Sequence, residues 1–231
     1  MPGKTILITG ASRGIGAALA NYWLGRGHDV IAAARNPEGA RDLWELERDY
    51  GERLQVVSLD VESAESIAAA ARKLEGRAID VLVNNAGVYP SGPSEFPLVA
   101  EADLVKAMSV NALGPIRVTQ AFLPHLERAR APIVAVVSSL MGSLGDNRAG
   151  KSYAYRMSKA AANMFVRSFA VDYPKIMAVT LHPGWVATDM GGARAPVKPV
   201  DSAAGLAKIL DALTPAQSGK FLAYDGRELA W

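Results

Sequence analysis

The chain has 231 residues, 50% of them hydrophobic, enough to bury a substantial core in one large domain rather than two small ones. Its 25 basic and 23 acidic residues leave a formal charge of +2, with no run of like charge and no basic stripe interleaved with aromatics, so no nucleic-acid partner is expected. Zero cysteines exclude disulfides, thiolate metal sites and cysteine nucleophiles, and no apolar run reaches the length of a signal h-region or membrane span, so a cytoplasmic protein is expected.

The first strand, TILIT (5 to 9), runs straight into TGASRGIG, where Gly10, Gly14 and Gly16 open a helix over about 14 to 26. Glycines there permit a tight turn and close approach of backbone to a phosphate, which the exposed amides and positive dipole end of the helix then bind. The spacing is G-x-x-x-G-x-G rather than the commoner G-x-G-x-x-G. DVIAAA (29 to 34) is the second strand and Arg35 follows it. A helix over about 38 to 50, the strand LQVVSL (54 to 59) and a helix over 63 to 75, N-capped by Ser63, come next.

DVLVN (80 to 84) is the fourth strand, and one long helix is predicted over 101 to 125. Asn111 lies inside that helix, where a side chain that competes for backbone hydrogen bonds is costly. PIVAVVSS (132 to 139) closes on two serines, and because strand side chains alternate faces only one of Ser138 and Ser139 can point into a site.

A helix over 155 to 172 follows. Tyr155 and Lys159 stand four residues apart on one face of it, whereas Tyr153 has Met157 at that spacing and no cation, so Tyr155 is the candidate for chemistry. Ala160, Ala161, Met164, Phe165, Phe169 and Ala170 spread around more than one face, which predicts burial on both sides and a subunit interface. After the strand MAVTLH (177 to 182), Pro183 and Gly184 break the chain. The segment Met190 to Pro199 is the expected substrate lid, with Gly191 and Gly192 as hinges. A helix over 201 to 213 and the strand KFLAY (220 to 224) complete the pattern. His28, His125 and His182 are too scattered to suggest a metal site.

Seven strands alternating with helices mean repeated βαβ units with right-handed crossovers. The fold class is therefore α/β: one doubly wound Rossmann domain over 1 to 231, a seven-stranded parallel sheet with helices on both faces. Its cofactor half is expected over about 1 to 130 and its catalytic and substrate half over about 131 to 231.

TGASRGIG, LDV (59 to 61), NNAG (84 to 87), VNALG (110 to 114), SS, YRMSK (155 to 159) and HPGWVAT (182 to 188) occur in the order found in short-chain dehydrogenases/reductases, and the chain resembles that family over essentially its full length. Within it, YAYRMSK, the short chain and the ending GKFLAYDGRELAW are most similar to sniffer-type carbonyl reductases and bacterial C-factor proteins.

The resemblance implies a catalytic set of Asn111, Ser139, Tyr155 and Lys159. Tyr155 would exchange a proton with a carbonyl or alcohol oxygen, Lys159 would lower the phenol's pKa and hold the nicotinamide ribose, Ser139 would bind the substrate oxygen, and Asn111 would bend its helix and support a water relay. Ser139 lies 16 residues before Tyr155, farther than in many relatives, and Ser143 is an alternative hydroxyl. Cofactor contacts would come from Gly10, Ser12, Arg13, Gly14, Ile15, Gly16, Arg35, Asp60, Val61, Asn84, Ala86, Gly87, Pro183, Gly184, Val186 and Thr188, together with Tyr155 and Lys159. Trp185 either lines the substrate pocket or packs.

Sheets of this kind that prefer NAD place an acid after the second strand for the ribose 2′-hydroxyl. This chain has Ala34 and Arg35 there, with Arg13 in the Gly-rich loop, which predicts NADP(H) over NAD(H). The function expected is reduction of a small-molecule carbonyl, or oxidation of an alcohol, by a homodimer or homotetramer. The alternative is an NADP(H)-binding signalling or sensor protein with little turnover.

Overall fold

In the computed structural model, which describes residues 3–231, strands β1 (Thr5–Thr9), β2 (Asp29–Ala34), β3 (Leu54–Ser58), β4 (Val81–Asn84), β5 (Ile133–Val137), β6 (Met177–His182) and β7 (Lys220–Ala223) form one sheet. The strand order is β3-β2-β1-β4-β5-β6-β7 and every neighbouring pair is parallel. Strand order reverses between β1 and β4, which opens a crevice at the carboxyl ends of those strands.

The period of two along each strand sorts its residues into two cores. Ile6 and Ile8 of β1 pack on one face with α1 (Gly14–Leu24), α2 (Arg41–Tyr50) and α7 (Pro199–Asp211), through Leu19, Trp23, Leu43 and Leu206. Leu7 lies on the other face with α3 (Ala64–Lys73), α5 (Gly114–Leu126) and α6 (Tyr153–Asp172), through Ile67, Val118, Phe122 and Val166. A sheet apolar on both faces needs a helix layer on each, and the chain supplies both.

Three boundaries differ from expectation where the site lies. The predicted helix over 101 to 125 is broken into α4 (Glu101–Met108), a π-helical turn (Ser109–Leu113) and α5. Asn111 sits inside that turn, and the local widening is how the helix accommodates it. β5 ends at Val137, so both serines lie past the strand. α6 starts at Tyr153, two residues early, and is entered through Lys151 and Ser152 with φ of 56° and 51°. Those two are the non-glycine residues with positive φ among the described residues, a costly conformation that surrounding contacts must hold.

Candidate active site

Gly10 and Gly14 adopt φ of +65° and +59°, and a Cβ on Gly10 would stand 2.8 Å from Ala86 Cα. Only glycine permits that close approach between the turn after β1 and the turn after β4. The two turns are stitched together: the Thr9 hydroxyl accepts from the amides of Asn85 and Ala86 at 3.0 and 3.1 Å, and Asn85 Nδ2 donates to the carbonyls of Thr9 and Gly10. Arg13 caps α1 without a side-chain hydrogen bond, and no acid occupies the first turn. The amides of Gly14, Ile15 and Gly16 thus meet the positive helix end with no competing anion, which fits a phosphate. Ser12 is half-buried in the same loop.

Arg35 is exposed at the end of β2, and its guanidinium has no carboxylate partner among the described residues. Arg13 is turned toward the chain after β6 and pairs with Asp189 at 2.8 Å. Asp60 uses Oδ1 to accept from Glu62 N, and Val61 packs against Gly114. Asn84 is buried and donates to Thr119 Oγ1, so it braces β4.

Tyr155, Lys159 and Asn111 come together beside Gly87, where a Cβ would stand 3.2 Å from Asn111 Oδ1 and 3.5 Å from Lys159 Nζ. Asn111 exchanges hydrogen bonds with both backbone groups of Val88, at 2.8 and 2.9 Å, and donates to Ser158 Oγ. Lys159 Nζ donates to the Val137 carbonyl at 2.8 Å and lies 5.6 Å from the Tyr155 ring centroid. It is buried without a carboxylate, and burial pushes it down to about 8.

The expected depression of the Tyr155 pKa by Lys159 is not found. Burial pushes the phenol up to about 12, the Ser139 hydroxyl opposes this and the nearby Tyr89 adds to it. The ammonium is directed at Val137, so desolvation dominates the phenol.

The two serines separate as alternation requires. Ser138 is buried and donates to Asn163 Oδ1 at 2.6 Å, and Asn163 Nδ2 donates to the Gly142 carbonyl at 3.1 Å. Ser139 is the hydroxyl that meets Tyr155, and its Oγ also accepts from Met141 N. Ser143, the alternative, is buried and accepts from Asp146 N in a turn, away from Tyr155.

After β6, Pro183 is buried and its carbonyl accepts from Ser202 Oγ at 2.7 Å. Gly184 has φ of +85°, and a Cβ on it would meet the Tyr224 ring at 2.9 Å. Val186 is buried, and Thr188 packs against Gly14. The predicted lid with glycine hinges is a closed loop whose base is the Val186 and Val197 bridge. Gly191 is a site of close approach, because a Cβ would fall 1.9 Å from the Val186 carbonyl. Trp185 is 57% exposed and donates Nε1 to the Gly191 carbonyl at 2.8 Å, so it pins this loop and is not packed in a core.

Tyr89 and Asn163 escaped the sequence reading. Tyr89 packs its ring on Tyr155 and places its hydroxyl 2.7 Å from Ser152 Oγ. An aromatic followed by proline directly after NNAGV was the available signal. Asn163 stands four residues past Lys159, and its contact with Ser138 comes from the other end of the loop.

Residues 4–198 match the family model described as short chain dehydrogenase. The chain is 49% identical over 156 residues to the C-signal protein of Myxococcus xanthus, covering 66% of this chain and 93% of that one. Among solved structures it is similar to the carbonyl reductase Sniffer of Drosophila melanogaster, with a TM-score of 0.94, 33% identity and coverage of 99% and 100% of the two chains. A short-chain dehydrogenase/reductase of Burkholderia multivorans with bound NADP superposes with a TM-score of 0.91 at 37% identity, over 100% of both chains.

Proposed function

The chain belongs to the short-chain dehydrogenase family and is an oxidoreductase, and on that premise we propose that it is an NADPH-dependent reductase of small-molecule carbonyls. The observation that carries the reading is the buried Tyr155 phenol, with the Ser139 hydroxyl beside it and the Lys159 ammonium one helical turn away. Bound NADPH would supply the hydride. Ser139 donates a hydrogen bond to the substrate oxygen as negative charge develops there, and the Tyr155 proton passes to that oxygen. Lys159, held by the Val137 carbonyl, faces with Asn111 beside Gly87 the space a ribose would take.

A phenol pushed up to about 12 keeps its proton at neutral pH, as a proton donor in carbonyl reduction requires. The amides of the α1 first turn would hold the pyrophosphate, and Arg35, with Arg13 if it exchanged Asp189 for the ligand, would hold the 2′-phosphate. In this reading the chain to about residue 130 binds cofactor and the remainder supplies catalysis and substrate contacts. A cytoplasmic location is part of the reading, supported by a cysteine-free composition that needs no oxidising compartment.

The reading includes a homodimer or homotetramer formed through the 101 to 125 segment, now α4 and α5, and α6. Met157, Met164 and Val171 repeat every seven residues along α6 and are 54%, 65% and 66% exposed, an apolar stripe that a second copy would cover. Sedimentation equilibrium at micromolar concentration should give at least twice the chain mass, and a monomer mass would reject the assembly.

The test of the reaction is NADPH oxidation with a panel of ketones, aldehydes and quinones. Turnover of at least one class supports the reading. No turnover on any, with NADPH bound tightly, would overturn it in favour of a sensor.

A further inference from the structure

The ending GKFLAYDGRELAW has no task in the reading above. Its second half folds back along β7: Ala223 N donates to the Arg227 carbonyl and Leu229 N to the Phe221 carbonyl, both at 2.8 Å, with Leu222 opposite Glu228 in an antiparallel bridge. Trp231 then stacks on Phe221, ring centroids 5.6 Å apart and planes 23° from parallel. Phe221 is fully buried, so the indole is seated on a fixed surface.

From that seat the Trp231 main-chain oxygen accepts a hydrogen bond from Gly145 N at 2.9 Å. Gly145 lies midway in the segment that joins Ser139 to Tyr155. Both ends of that segment are tied independently. Leu140 N donates to His182 Nδ1 and the Gly142 carbonyl accepts from Asn163, while Ser152 N donates to the Ser94 carbonyl and Lys151 pairs with Glu95.

The middle is not. Among the described residues, every other hydrogen bond of residues 143–149 stays within residues 140–150: Ser143 N to Leu140, Asp146 N to Ser143 Oγ, Asn147 N to Leu144, Arg148 N to Asp146 and Gly150 N to Asn147. Behind it, a cleft of about 290 Å³ lined by Leu144, Asn147, Arg156, Met157 and Ala160 separates the segment from the outer face of α6. Arg156 of α6 reaches the carbonyls of Met141, Gly150 and Lys151 at the two ends of the segment, and the Trp231 contact is what joins its middle to the sheet. Gly145 suits the junction, since a Cβ there would stand 3.3 Å from the Trp231 oxygen and 3.5 Å from Ala230 Cβ.

We propose that residues 227–231 are a strap that sets the Ser139 to Tyr155 segment, with Trp231 as a positioning residue for the reacting pair. The kinetic consequence rests on the reductase reading; the mechanical one does not. Arg148 is exposed in the strapped segment and offers a tryptic site whose cleavage reports local opening.

The experiment compares wild type, Trp231→Ala, Trp231→Phe and Gly145→Val by timed trypsin digestion with mass mapping, by kcat and KM on a turned-over ketone, and by NADPH affinity. Trp231→Ala removes the stacking on Phe221 that seats the main-chain oxygen, and should speed cleavage after Arg148 about tenfold and lower kcat by a similar factor. NADPH affinity should stay within about twofold, because the Gly-rich loop is elsewhere. Trp231→Phe should restore both readouts. If Trp231→Ala does not fold, Gly145→Val, whose side chain enters the gap from the loop side, should give the same two changes. Cleavage unchanged in the variants, or raised equally at all sites, would overturn the strap. Faster cleavage with unchanged kcat would overturn the positioning role and leave the reductase reading intact. Were no carbonyl reduced at all, the digestion would still decide the strap.

Discussion

The ring of Tyr89 rests on that of Tyr155, with centroids 4.7 Å apart and planes inclined by 48°, while its hydroxyl reaches Ser152 Oγ at 2.7 Å. One side chain therefore covers the candidate proton donor and grips the left-handed residue that starts its helix. Tyr89→Phe keeps the cover and loses the grip, and is expected to retain kcat/KM within about threefold. Tyr89→Ala loses both and should lower kcat/KM by about tenfold or more, because an uncovered phenol is no longer held in a fixed direction. Steady-state kinetics of the two variants at pH 7 check this.

Tyr155→Phe deletes the proton donor without disturbing the packing of its ring. Its kcat is expected to fall by roughly a hundredfold or more, with the NADPH dissociation constant within a few-fold of wild type. Lys159→Ala should damage both quantities, because in the proposed mechanism the ammonium lies beside both the phenol ring and the space for the ribose. Single-turnover kinetics with fluorescence titration of NADPH separate the two effects.

Lys159 is a buried ammonium whose partner is a carbonyl, with a pKa of about 8 in the fold against 10.5 for the ordinary group. The unfolded chain binds that proton more tightly, so stability from this group is present above about 10.5 and is lost as pH falls toward 8. Lys159→Met is expected to inactivate the protein yet raise its unfolding free energy at pH 7 by roughly 2 to 3 kcal/mol. The gap from wild type should shrink by pH 10. Urea unfolding of both proteins at the two pH values gives the comparison.

Arg35→Asp replaces an exposed guanidinium, without a carboxylate partner among the described residues, by a carboxylate at the end of β2. It should lower kcat/KM for NADPH by about a hundredfold and for NADH by no more than a few-fold, since attraction and repulsion both act on the 2′-phosphate alone. Asp189→Asn, which frees Arg13, should improve NADPH about two- to threefold, the scale of an exposed ion pair. Measurements with both cofactors at one low ionic strength are required, because screening weakens such contacts.

The seven strands, the Gly-rich turn and the placement of Tyr155, rather than Tyr153, beside Lys159 were legible from the sequence because each depends on local order. A period of two, a glycine that must take positive φ and a spacing of four on a helix are properties of neighbours along the chain. The same holds for Ser138 and Ser139, whose opposite destinations follow from alternation in extended backbone. The tertiary structure decided what depends on residues far apart. The π-helical turn at Asn111 answers to Val88 and Ser158, the pKa of Tyr155 answers to burial, then Ser139 and Tyr89, rather than to its helix neighbour, and Arg13 answers to Asp189 across the crevice. Periodicity reports which face a side chain takes, but desolvation and ion pairing depend on what the fold brings against that face, and Gly145 meets Trp231 only after β7 and the chain beyond it have closed the sheet.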